Sequence, residues 1–265
     1  MGFFNRKKKQ KAQAEKSGSF VGFVLLDDIA LDLDALVKNL QEDWGITIAA
    51  DDIDDKEKRF VSMQDGMMLA VSLMPAPVPN DEAIQNAKTN WLWPEAVSVA
   101  EAHKAHIMVA VMGMGQDSLH TASMYVKVCA SCLALSNATG MNTLGSVLEP
   151  ELYIETAKMH IANNALPIMN LVFFGLYSNN GGETGCGYTY GMDLFGKQNI
   201  EIIDSTHTPA EIHDFMVNIA GYVIESDVTL KNGETLGYSA EQKLPITESA
   251  GVAIDVDGLT LKIGL

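Results

Sequence analysis

Arginine is nearly missing from this sequence. Only Arg6 and Arg59 occur in 265 residues, and lysine does not make up the shortfall: 18 basic residues face 34 acidic ones, a formal net charge of −16. The imbalance is sharper along the chain. Residues 1–16 hold six of the basic residues and one acid, so everything after them carries 12 bases and 33 acids, a net of −21. Nucleic-acid binding uses Lys and Arg to neutralise phosphates, so such a body is expected to repel a polyanion, and no nucleic-acid partner is expected. Bidentate clamping of phosphate or carboxylate substrates also leans on Arg, and Arg59 alone is available for it. An acidic surface favours solubility, cation binding or fast association with a basic partner.

Cysteine is scarce too. Cys129, Cys132 and Cys186 are too few for a disulfide framework and point to a reducing, cytoplasmic setting. Long hydrophobic runs are absent. The first apolar run, Phe20 to Leu26, is broken by Gly22 and closed by Asp27 and Asp28, which does not read as a secretory signal. What remains is ordinary for a globular chain: 47% hydrophobic and 20% charged residues, with ample length for a core.

Residues 1–18 read as a disordered basic arm. Met1 to Phe4 beside Arg6, Lys7, Lys8, Lys9 and Lys11 could rest weakly on an anionic membrane. Residues 19–265 are expected to form one α+β domain of two related halves, about 20–145 and 146–265. Phe20–Leu26 reads as a buried strand. Asp32 caps a helix with apolar residues at Leu33, Leu36, Val37, Leu40 and Trp44, stopped by Gly45. Ile46–Ala49 reads as a short strand, followed by an acidic loop from Asp51 to Glu57. Arg59–Met63 and Met67–Met74 form a hairpin turning near Asp65-Gly66. A helix follows from Pro94 to about Lys104, then a strand over His106–Met112. A nearly uncharged helix is expected over Ser118–Ala138, ended by Gly140.

The second half repeats the rhythm. It runs as a strand at Thr143–Leu148, a helix at Glu151–Asn163 and an apolar strand at Ile168–Tyr177, paired near Tyr188–Phe195 or Ile200–Ile203. Thr208 caps a helix to about Ile224, and hairpin turns are expected at Asn232-Gly233 and Asp257-Gly258. A β-α-β-β-α-β order thus appears twice, which predicts two ferredoxin-like halves packed together with C-terminal β-hairpins.

The segment Leu73–Ala96, LMPAPVPNDEAIQNAKTNWLWPEA, is the most distinctive. Pro75, Pro77 and Pro79 at alternate positions force an extended backbone that cannot donate ladder hydrogen bonds. Trp91 and Trp93 add large amphipathic rings that must pack or meet a partner. Met74, Pro75, Pro77, Trp91, Trp93 and His106 are therefore the candidate binding residues. Met63, Met67, Met68, Met74, Met108, Met112 and Met114 also cluster. Strand-core packing is the default reading for them, although flexible Met surfaces serve adaptable binding.

Several other patterns carry less. Gly113-Met114-Gly115 has the place of a dinucleotide turn, but Ser118 stands where the third glycine belongs and no acid occurs between Ser118 and Leu148. Cys129 and Cys132 have redox or zinc spacing, yet they lie inside a predicted helix rather than at its start. Gly181–Gly187 lacks the lysine of a phosphate loop and reads as a mobile hairpin tip. Asp51–Asp55 lacks the glycine and glutamate of a calcium loop. Asp204, His207, Glu211 and His213 form the densest acid–base cluster. Thr208-Pro209-Ala210-Glu211 explains part of it as a capping box, which leaves His207 and His213 as an alternative site. No catalytic set, metal site or cofactor is marked.

The chain resembles a bacterial family, the domain of unknown function 4261. The resemblance rests on Leu25-Leu26, Glu42-Asp43-Trp44-Gly45, Met74-Pro75-Ala76-Pro77, Trp91-Leu92-Trp93-Pro94, Lys104-Ala105-His106 and Val109–Gly113. It extends to Gly237-Tyr238-Ser239 and Leu261-Lys262-Ile263, and implies no catalytic residues. The family is similar in character to small cytosolic proteins of bacterial conflict systems. The residues therefore predict a non-enzymatic interaction protein whose acidic body draws a basic protein partner, immunity-like in its concrete version. The alternative is a small-molecule binder or hydrolase-type enzyme with a site between the halves.

Overall fold

One register organises the first part of the chain. In the computed structural model, which describes residues 18–237, 242–256 and 258–265, strand β5 (Ala105–Met112) pairs along its whole length with β1 (Ser19–Leu26) on one side and with β4 (Met67–Met74) on the other. Four further antiparallel pairings extend this core into a seven-stranded sheet. Its order is β2 (Ile53–Asp54), β3 (Arg59–Gln64), β4, β5, β1, β6 (Ala138–Thr143) and β7 (Ser146–Leu148). Because side chains alternate across a strand, Phe20, Val24, Ile107, Val109, Val111, Leu69 and Val71 share one face, and all are buried.

Helix α1 (Leu33–Trp44), helix α4 (Ser118–Leu133) and helix α5 (Pro150–Ala162) form the layer on that face. The expected start of α1 is present: Asp32 accepts from the Ala35 N–H, and Gly45 closes the helix in the left-handed region. Helix α4 packs against β1, β5 and α5, and it is buried on most sides, as its lack of charge predicts. Gly22 makes the close approach of α4 to β1 feasible, since a Cβ there would collide with the Tyr125 hydroxyl and the Met141 methyl. On the other face, helix α2 (Glu82–Ala87) and helix α3 (Ala96–Ala102) pack mainly over β6 and β7, and reach Leu25 of β1.

The contacts divide the chain into two units, one ending at Asn170 and one running from Leu171 to Leu265. The single turn α6 (Ile168–Leu171) lies at the division. The second unit has its own sheet, in the order β11 (Thr235–Leu236), β12 (Leu244–Ala250), β13 (Leu259–Ile263), β10 (Ile200–Ser205), β9 (Thr184–Tyr190) and β8 (Phe173–Asn179). Helix α7 (Pro209–Glu225) packs on β8, β9 and β10 and begins with the predicted Thr208–Glu211 capping box. Glu201 on β10 is fully buried, and its carboxylate accepts from the Val252 N–H (2.9 Å), the Ala253 N–H (2.6 Å) and the Thr260 hydroxyl (2.7 Å) while pairing with Lys262 at 2.6 Å. The loop after β12 is thereby tied to the sheet.

The α+β class is the one expected. The strand orders do not reproduce two ferredoxin-like halves, because β5 lies between β4 and β1, and in the second unit three strands, β8, β9 and β10, precede its long helix. The strand β7 and helix α5, expected to open the second half, belong to the first unit. Other boundaries also move. Ile46 and Ile48 are buried but unpaired in any strand, because the Schellman turn that closes α1 (Ile46 N–H to Leu40 carbonyl, 3.1 Å) carries the chain past the sheet. Helix α4 stops at Leu133, and Gly140 lies inside β6, where Val147 and Leu25 crowd it. Ile168–Leu171 is helical, so the apolar strand starts at Phe173. Cys186 and Gly187 lie within β9 rather than at a hairpin tip. The Asn232-Gly233 turn precedes β11 instead of linking two paired strands. The basic arm, Tyr238-Ser239 and Asp257 of the last expected turn lie outside the described residues.

Two outcomes follow from the packing. Gly22→Ala should destabilise the fold by about 1–3 kcal/mol through overpacking, read as a lower denaturation midpoint with an unchanged slope. Glu201→Gln leaves Lys262 without its buried anion and should cost about 3 kcal/mol at neutral pH. Burial alone would raise the Glu201 carboxyl, but Lys262, Thr260 and two backbone N–H groups outweigh it and hold it below the ordinary value. A folded-state pKa below the unfolded value of about 4.3 means that the carboxylate stabilises the fold above that pH. The difference between wild type and variant should therefore shrink as pH falls below about 4, measured by denaturation across the acid range.

Candidate functional site

The proline segment is a strap held by two histidines. The His103 Nε2 accepts from the Val78 N–H at 2.8 Å, while its Nδ1–H is directed at the Ala100 carbonyl. The His106 Nδ1–H donates to the Ala76 carbonyl at 2.8 Å, and its ring stands edge-on to Phe23. Burial, opposed by that carbonyl, lowers the His106 pKa and favours the neutral ring. Both imidazoles are thus engaged in fixing a segment whose prolines cannot donate to the sheet. Met74, in register with His106 and half-buried, ends β4 where the strap begins. Pro75 and Pro77 are exposed, and Val78 points down into a core cluster with Leu25, Ala83, Ala87, Ala96, Ala100 and Val147.

Trp93 packs half-buried against the same cluster. Asn90 sets it there: its side-chain carbonyl accepts from the Leu92 and Trp93 N–H groups, at 2.8 and 3.1 Å, and its amide donates to Val147 at 2.6 Å. The loop leaves Trp91 42% and Leu92 46% exposed. The two tryptophans therefore do different work: Trp93 anchors the loop and Trp91 sits at its surface.

The larger apolar surface lies beside the strap. The outward residues of β3, β4, β5 and β1 stand in three cross-strand rows. The first is Met63, Met68, Met112 and Ser19; the second is Val61, Ala70, Ala110 and Val21; the third is Arg59, Ser72, Met108 and Phe23. Nine of these twelve positions are apolar, where a solvated antiparallel face ordinarily alternates to polar. Yet Val21 is 51% exposed, Val61 50% and Met63 58%. Met68, Met108 and Met112 are half-buried among them, and Met114 is exposed in the loop after β5. Of the methionines that cluster in the sequence, only Met67 is in the core. Period-2 alternation is missing in β4 (MMLAVSLM), and that was the available signal for a face that needs a cover.

The other candidate residues do not form a reacting set. His207 contacts Ser205 at 3.2 Å, but the Ser205 hydroxyl donates to the Leu265 carbonyl at 3.0 Å, so the imidazole donates to serine rather than taking its proton. His213 lies on α7, edge-on to Phe174. The Asp204 carboxylate accepts from Asn179 (3.1 Å) and Thr184 (2.9 Å). Cys129 and Cys132 are fully buried in α4, and burial pushes the Cys129 thiol up to about 12, which makes it a packing residue. Asp117 occupies the N-cap position of α4 after the glycine turn. Among the described residues no group of three or more His, Cys, Asp or Glu side chains could hold a metal ion, and no helix is long and apolar enough to cross a membrane.

No curated protein and no solved structure matches the chain. The open face of the first unit thus stands on its own geometry. The second unit has a relative in sequence: residues 188–264, from within β9 through β13, match the family model described as Domain of unknown function (DUF4261).

Proposed function

We propose that this chain is a non-enzymatic interaction protein whose acidic body draws a basic protein partner onto the open methionine-rich face of the first sheet. The observation that carries the reading is the composition of that face: nine apolar side chains in three registered rows, of which Val21, Val61 and Met63 are about half exposed, on a body of formal net charge −21 after residue 16. Exposed apolar patches rimmed by polar residues mark interaction sites. Charge supplies long-range attraction and a fast encounter, while the desolvated apolar core sets how long the complex lasts. The strap, which begins at Met74 in the row next to Met108, borders the face and extends the contact area toward the expected proline–tryptophan edge.

The double substitution Val61→Glu with Met63→Glu separates the two contributions. It makes the face more acidic, which favours a basic partner, while it removes apolar anchors that are half exposed and outside the core. Capture on the full chain from cells that make it should retain one stoichiometric basic protein at low salt. High salt should release that protein, and the double variant should bind it at least about tenfold more weakly. Equal retention by wild type and variant, or retention insensitive to salt, would count against the reading.

A further inference from the structure

Among the described residues the open face lacks the layer that covers the same side of β6, β7 and the start of β5. On the same side, α2 and α3 cover β6 and β7, and the strap covers the start of β5 through His103 and His106. The cover stops there. Beyond it the three rows continue for about 14 Å across four strands, and about the same along them. Every interior strand in this patch already has its ladder partners on both sides, so the face offers side chains, not backbone groups. An apolar sheet face is completed by an amphipathic helix about 10 Å wide, and this patch has room for about two to three turns of one. Unbranched methionines suit such an occupant because they adjust to the ridges of a helix.

The rim supplies the charge of that helix. Segment 51–59, at the β2–β3 edge, holds five acids and three bases. Its bases are partly spent, Arg59 on Asp54 at 3.0 Å and Lys58 on Asp55 at 2.6 Å. Asp51, Asp52 and Glu57 enter no ion pair among the described residues, and neither does Asp65, in the β3–β4 turn. A second copy of this chain would bring an equally acidic body to the same place, which like-charge repulsion disfavours. Resting on the interaction reading above, we infer that the partner presents a basic amphipathic helix. In this inference its apolar side seats on Val61, Met63, Met68, Met108 and Met112, and its Lys and Arg flanks face the acidic rim.

The test uses the full chain labelled with [13C-methyl]methionine and three synthetic peptides. One is an amphipathic helix with Leu at i, i+3, i+4 and i+7 and Lys or Arg elsewhere. The second has a central proline, and the third has Glu in place of the bases. The first peptide should shift the methyl signals of Met63, Met68, Met108 and Met112 saturably while the buried Met67 stays put. Binding should weaken about tenfold or more in the Val61→Glu, Met63→Glu variant. The proline-interrupted and acidic peptides should leave the spectrum unchanged. Equal shifts from the proline-interrupted peptide, or shifts confined to methionines away from the face, would overturn the helical occupant. So would a silent spectrum, even when capture shows a partner lost with the double variant. In that last case the interaction reading survives and only the helix is wrong.

Discussion

Strand β5 is shared, residue for residue, between β4 and β1, and this sharing determines which side chains the first unit hides and which it offers. A slip of one residue in either pairing would exchange Ile107, Val109 and Val111 for His106, Met108, Ala110 and Met112 under helix α4. The native register buries the first set completely. It follows that the second set faces the other way, and its fate depends on what happens to lie there. At the start of β5 the histidine-held strap covers it. At the far end no helix or strap among the described residues does: Met108 and Met112 are half-buried, and Val21, Val61 and Met63 on the neighbouring strands are about half exposed, while Ala110 stays buried. The clasp and the open patch are therefore consequences of one pairing, separated by two or three residues along the same strand.

Several side chains that look reactive by type are held by structural contacts. An acid or base poised for chemistry has a proton, or a lone pair, directed at a place where a substrate can sit. His103 and His106 direct theirs at the strap. Glu201 is saturated by two backbone N–H groups, one hydroxyl and one ammonium. The Ser205 proton goes to Leu265, which reverses the sense of its contact with His207. Residues that look reactive by type have been used to fasten segments that the backbone ladder cannot reach: the proline strap, the loop after β12 and the chain end beside β10.

Local chemistry was legible in the sequence, and pairing was not. Asp32, Gly45, the Thr208–Glu211 box and the Asp65-Gly66 turn act within four residues of themselves, and each appears where its pattern predicts. The misread elements are those decided at a distance. Ile46–Ala49 has strand composition, but its place beside the sheet is denied by the turn that closes α1. Gly140 reads as a helix stop by type, yet Val147 and Leu25 require a small residue there in a strand. Strand order, which separates this sheet from a ferredoxin-like one, depends on contacts between residues some eighty positions apart in sequence. The candidate site divides the same way. The proline–tryptophan stretch announced itself by composition, but which of its tryptophans is exposed did not: Trp91 is at the surface and Trp93 is half-buried. The larger methionine face was spread over four strands and could be assembled only from their register.

Acidity and an apolar face need each other in such a molecule. An exposed apolar patch of this extent on a neutral body invites self-association, because a second copy brings the same patch. Two bodies that each carry a formal −21 beyond residue 16 repel at the distance where those patches would begin to desolvate. A partner of opposite charge meets the reverse: attraction while still hydrated, then burial of methionine side chains that adjust to its surface. The near absence of arginine fits this division of labour. Arginine is the residue best able to bridge one acidic surface to another through bidentate pairs, and the single Arg59 in the body is spent internally on Asp54. On the proposed reading, the charge that disfavours a polyanion also disfavours a second copy at the open sheet, and favours a partner that carries its own positive charge.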